Sequence, residues 1–136
     1  MRNIVCLVAL CASVLASALS ASAADGYVVW RNGTGTWYAA SGFEGSSSAI
    51  QWGSQAGGDI PFRADVDGDG IPDLLLWHGQ TGYWYFLQST SGYSPSSARA
   101  VHWGSQALGD VPLVGDLDGD GRADLITWRA SPFDVE

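Results

Sequence analysis

DVDGDGIPD at residues 65–73 returns, 51 positions later, as DLDGDGRAD at residues 116–124. Each copy places carboxylates at its first, third, fifth and ninth positions: Asp65, Asp67, Asp69 and Asp73, then Asp116, Asp118, Asp120 and Asp124. The glycine at the sixth position permits a sharp turn and leaves carbonyl oxygens free to point inward. Carboxylates crowded into one short loop repel one another where water is scarce, and a bound cation relieves that repulsion. Oxygen-only donors without His or Cys suit calcium, and so dense a set of carboxylates suits it better than magnesium, which holds on to its water.

The residues on either side exclude an EF-hand. Position twelve, where a bidentate Glu would close the coordination, is Leu76 in the first copy and Thr127 in the second. The loops are followed by LLLW (Leu74 to Trp77) and LITW (Leu125 to Trp128), short runs with the composition of strands. They are preceded by IPF (Ile60 to Phe62) and VPLV (Val111 to Val114), where proline is tolerated near a strand start. The acidic loop is therefore expected at the bend of a strand-loop-strand hairpin.

Farther out, the chain repeats itself. Trp52-Gly53-Ser54-Gln55-Ala56 recurs as Trp103-Gly104-Ser105-Gln106-Ala107 by the same shift of 51, which also carries Trp77 onto Trp128. WRNGTGTWY at 30–38 matches WHGQTGYWY at 77–85 by a shift of 47, and the difference falls in the polar stretch Ser89 to Ser97. In the complete unit the spacing predicts strands near Ile60 to Ala64, Leu74 to His78, Tyr83 to Gln88 and Arg99 to Trp103. The turn Gly79 to Gly82 sets Trp77 opposite Trp84, and the earlier turn brings Trp30 or Arg31 near Trp37. Each Trp recurs at a fixed place in the repeat, which assigns the tryptophans to packing rather than to sugar stacking. Tyr83 to Leu87 is an unbroken apolar run, so both faces of its sheet are expected to be covered.

The fold class is thus all-β: antiparallel four-stranded propeller blades, about two and a quarter of them. The repeat region spans 25–136, divided into a partial blade at 27–59, a full blade at 60–110 and a truncated blade at 111–136.

Residues 1–24 read as a signal peptide: Arg2, an apolar run from Ile4 to Leu19, then Ala21-Ser22-Ala23-Ala24, with cleavage near Ala23 or Ala24. The run is short for a membrane span, and Leu10 before Cys11 disfavours a lipid anchor. Export is the expectation, with no membrane association after signal removal. Both cysteines, Cys6 and Cys11, leave with the signal, so neither disulfide nor thiol chemistry is expected in the mature chain. The net charge is −8 at pH 7 with no Lys, and the acids concentrate in the two loops. Nucleic acid is disfavoured as a partner because there is no basic patch.

Catalysis is not expected. A bound cation would keep the clustered aspartates ionised and occupied. No Ser-His-Asp or Cys-His order stands out, and His78 and His102 read as isolated residues at strand edges.

The pattern W-G-x-x-x-x-G-D-I/V-P, then G-D-x-D-G-D-G-x-x-D-L, then W-R/H-x-x-x-G-x-W-Y resembles FG-GAP or VCBS repeats, the calcium-loop blades of integrin alpha-subunit propellers and of many secreted bacterial proteins. It covers Tyr27 to about Arg129. The resemblance implies calcium, about two ions per chain, held by Asp65, Asp67, Asp69, the Ile71 carbonyl and Asp73, and by Asp116, Asp118, Asp120, the Arg122 carbonyl and Asp124. It also implies adhesion or the binding of an extracellular protein or glycan. Two departures stand out: Ala64 replaces the glycine found at Gly115, and no G-x-W-Y strand follows Trp128-Arg129. Closed propellers use about 4–8 blades, so a fragment, a short product or self-association into a ring is expected. Two further readings are a carbohydrate-binding lectin with Tyr93 as an exposed aromatic, and the scaffold of a larger extracellular enzyme.

Overall fold

The computed structural model describes residues 27–40 and 49–130. The signal peptide expected at 1–24 and the interrupted blade end expected at 131–136 lie outside the described residues. Nine strands are described: β1 (Val28–Arg31), β2 (Thr36–Ala39), β3 (Ala49–Gln51), β4 (Asp59–Ala64), β5 (Asp73–His78), β6 (Tyr83–Leu87), β7 (Arg99–His102), β8 (Val111–Gly115) and β9 (Asp124–Trp128). They form three antiparallel sheets in the orders β1-β2-β3, β4-β5-β6-β7 and β8-β9. None of the sheets closes into a barrel, and the count amounts to partial propeller blades around one complete blade.

The complete blade follows from its turns. The four residues Gly79 to Gly82 set Trp77 opposite Trp84, and the first sheet repeats this with Trp30 opposite Trp37. Pro61 and Pro112 sit on β4 and β8, both edge strands, where a missing N–H costs no ladder bond. In each paired set the two indole N–H groups converge on one carbonyl: Trp77 and Trp84 on Trp103 at 3.3 and 3.0 Å, Trp30 and Trp37 on Trp52 at 3.4 and 3.1 Å. A buried indole needs an acceptor, and the Trp-Gly turn at the end of the last strand supplies it.

Blades stack face to face. One core cluster joins Trp37, Ala39 and Ile50 of the first sheet to Leu74, Leu76, Leu87 and Tyr93 of the second unit. Leu75 and Trp77 point to the opposite face of β5 and are buried as well. Continuous apolarity therefore means two covered faces, as expected, although β5 shows it more fully than β6, whose Tyr83 is exposed.

The expectation that every tryptophan is core needs correcting: Trp103 and Trp128 are 53% and 57% exposed. Trp128 occupies the position of Trp77, but among the described residues no strand pairs with the outer edge of β9 to cover it.

A repeated polar latch holds each blade's first strand to the preceding turn. Asp59 accepts the Ser54 N–H at 2.6 Å, and its other oxygen lies 2.6 Å from His78 Nδ1. Asp110, at the same repeat position, accepts the Ser105 N–H at 2.7 Å and binds Arg129 through Nε at 2.5 Å and Nη2 at 2.8 Å. His78 is thus paired with Asp59 rather than isolated.

The Arg129 guanidinium beside Asp110 holds its carboxyl below the usual carboxylate range, against the opposing effect of burial. A depressed folded-state pKa means that the unfolded chain binds the proton more readily. The latch's stability is therefore present above the ordinary Asp value and is lost as pH falls through the folded one. Thermal melts from about pH 6 to pH 2 are expected to show a steeper acid loss for wild type than for Asp110→Asn, which has no carboxylate to protonate. Equal slopes would show that the latch carries no pH-dependent stability.

Candidate metal centre

Each acidic loop joins two strands of a hairpin, β4 to β5 and β8 to β9. The loops are wound by their own carboxylates, with short polar side chains bonding main-chain N–H groups nearby. Asp65 takes Gly68 N–H on one oxygen at 2.6 Å and Gly70 N–H on the other at 2.7 Å. Asp69 takes Ile71 N–H at 2.7 Å, and Asp67 takes Asp69 N–H at 3.4 Å.

The second loop repeats the set. Asp116 takes Gly119 and Gly121 N–H at 2.7 and 2.9 Å, Asp120 takes Arg122 N–H at 2.8 Å, and Asp118 takes Asp120 N–H at 3.1 Å. The closing carboxylates tie back to the loop start: Asp73 accepts Val66 N–H at 3.0 Å and Asp124 accepts Leu117 N–H at 2.9 Å. The N–H groups of Ile71 and Arg122 are thus taken up by carboxylates of their own loops.

The expected carboxylates converge in part. One oxygen each of Asp65, Asp67 and Asp73 lie within 4.8 Å of one another, as do one oxygen each of Asp116, Asp118 and Asp120. Asp69 and Asp124 stand outside these two groups. Asp69 accepts the Ser89 hydroxyl at 2.6 Å on its second oxygen.

The two centres differ in their surroundings. Gln88 Nε2 and the Thr90 hydroxyl donate to Asp67 at 2.9 and 2.8 Å, and Ser89 N–H donates to Asp73 at 2.8 Å. The segment after β6 thus braces the first loop, whose Asp73 is fully buried, while Asp116, Asp118 and Asp120 are exposed. Burial pushes the Asp73 carboxyl above its ordinary value, and the nearby Asp67 charge adds to this, against the N–H bonds from Ser89 and Val66. A carboxylate raised by dry surroundings and a like charge is one that a cation would stabilise. The donor set, all oxygen and closely grouped, fits a hard divalent ion.

Sequence reasoning missed the Gln88-Ser89-Thr90 brace, which lies in the stretch that varies between repeats. It also placed Tyr93 on the outside. Tyr93 is 3% exposed, with its hydroxyl donating to the Pro72 carbonyl at 3.0 Å and its φ at +55°, so it packs beneath the first loop as core. The Asp59–His78 and Asp110–Arg129 pairs were within reach, because the shift of 51 carries one pair onto the other.

Stacked antiparallel blades, two of them with an aspartate-wound loop between their first two strands, define a β-propeller-type repeat protein. Residues 65–127, which take in both acidic loops, match a family described as an FG-GAP-like repeat. No curated protein matches the chain, and no solved structure does.

Proposed function

We propose that the chain is a secreted, calcium-stabilised, non-catalytic repeat protein that binds an extracellular protein partner through the loops between its strands. The observation that carries the reading is the grouping of Asp65, Asp67 and Asp73, with one oxygen from each inside 4.8 Å and Asp73 fully buried. Asp65, Asp67 and Asp73 would hold one ion and Asp116, Asp118 and Asp120 a second. Asp69, Asp124 and the Ile71 and Arg122 carbonyls complete the sets that the family resemblance implies. Bound calcium would neutralise the loop carboxylates and fix the hairpin. The signal-like residues 1–24 support export, where calcium is abundant enough for weak sites, with Kd about 10⁻⁴–10⁻³ M.

The non-catalytic part rests on the latch. His78 with Asp59 has the spacing of a base and its orienting acid, but the equivalent place in the next blade is held by Arg129, which stays protonated and cannot serve as a base. The shared pairing supports a structural role for this position in both blades. A glycan partner rested on an exposed Tyr93 and loses that support with its burial.

Calorimetric calcium titration of the purified chain, with thermal melts in parallel, tests the reading. About two ions per chain are expected to bind. At 100 times Kd, each site raises stability by about 2.7 kcal/mol. The double variant Asp67→Ala/Asp118→Ala is expected to show neither the heat nor the shift. A wild-type chain that gives no binding heat and no shift in Tm would overturn the metal assignment.

A further inference from the structure

The second loop leans on the first. Ala123 N–H donates to the Asp65 carbonyl at 2.6 Å, a bond between blades. Beside it the Arg122 side chain lies across Gly68, so that a methyl group on Gly68 would stand 3.1 Å from Arg122 Cγ and Nε. Asp65 opens the first loop, and its two carboxylate oxygens gather Gly68 and Gly70. Ala123 sits between Arg122 and Asp124, which close the second loop. Asp65, a ligand-bearing residue of one site, is therefore bonded to the segment that closes the other.

The contact runs one way along the chain. The residue equivalent to Ala123 in the first loop is Pro72, which has no N–H and cannot make this bond to a preceding blade. The first loop shows at the same time that proline fits at this position of an aspartate-wound turn.

Resting on the cation-binding reading above, we propose that the two loops take up calcium as a coupled pair, with Ala123 and Arg122 as positioning residues for the first site. An ion in the second loop fixes the segment Arg122 to Asp124, which holds Asp65 in place. By linkage, an ion in the first loop tightens the second by the same factor.

The test is calcium calorimetry on four purified chains: wild type, Asp67→Ala, Asp118→Ala and Ala123→Pro. Asp118→Ala leaves only the first site and Asp67→Ala only the second. The wild-type constant for taking up both ions is expected to exceed the product of the two single-site constants by about 2- to 10-fold, the worth of one hydrogen bond. Ala123→Pro retains every ligand, and its two-ion constant is expected to fall to that product. Should this variant not fold, the wild type and the two single-site chains decide the question by themselves. A wild-type constant equal to the product overturns the coupling and leaves the metal sites standing. Absence of binding heat in wild type overturns the sites themselves and the coupling with them.

Discussion

Trp77→Ala is expected to cost about 3–5 kcal/mol, the range for removing a fully buried aromatic side chain, whereas Trp128→Ala at the matching repeat position should cost about 1 kcal/mol or less. Trp77 is 1% exposed, lies 6.3 Å from Trp84 centroid to centroid and bonds the Trp103 carbonyl, so its loss opens a cavity and removes an indole donor together. Trp128 is 57% exposed and has little to lose. Domains of this size have only about 5–15 kcal/mol to spare. The first variant therefore threatens folding, and urea denaturation of the pair gives the comparison. Similar midpoints for the two variants would mean that the complete blade does not bury Trp77 as described.

Gly82→Ala is the second large effect. Gly82 has φ +73°, and a methyl group there would collide with the main-chain oxygen of Gly104. The Trp103 N–H donates to the Gly82 carbonyl at 2.9 Å, so the two backbones are already locked together and neither can retreat. The left-handed backbone costs an alanine about 1–2 kcal/mol, and the forced displacement adds about 1–3 kcal/mol. Gly92→Ala is the matched control: its φ is +63°, but nothing lies within 4 Å of the added methyl, so only the backbone cost applies. Chemical denaturation of both variants separates the two contributions, and equal losses would mean that the close approach to Gly104 carries none.

Most of the blade could be read before its coordinates. The strands β4 to β7 begin and end within about a residue of the spans that the repeat and the glycine turn mark out, because turn length alone sets the register between Trp77 and Trp84. The two loops were legible for a similar reason: their carboxylates bond main-chain groups two to five residues away, which is information local to the nine residues. What escaped depends on contacts across the fold. Gln88, Ser89 and Thr90 reach Asp67, Asp69 and Asp73 from about 16–23 residues away, and nothing in a polar, variable stretch marks such a reach. Tyr93 is buried because a left-handed main chain turns it under the loop. The exposure of Trp103 and Trp128 shows the limit of repetition as a guide. Recurrence tells where a residue stands within a blade, and only the neighbouring strands determine whether it is covered.

The outermost strand of the complete blade is held in an unusual way. All four residues of β7 are exposed, so side-chain burial contributes little to keeping it in the sheet. Its anchor is the Trp103 carbonyl just beyond it, which receives both indole N–H groups. Peeling β7 away would strand two donors in a dry interior, at about 1–3 kcal/mol each. An edge that would otherwise fray residue by residue is thereby tied to the centre of its sheet, and hydrogen exchange of β7 amides is expected to follow that of β5 and β6 rather than run ahead of it.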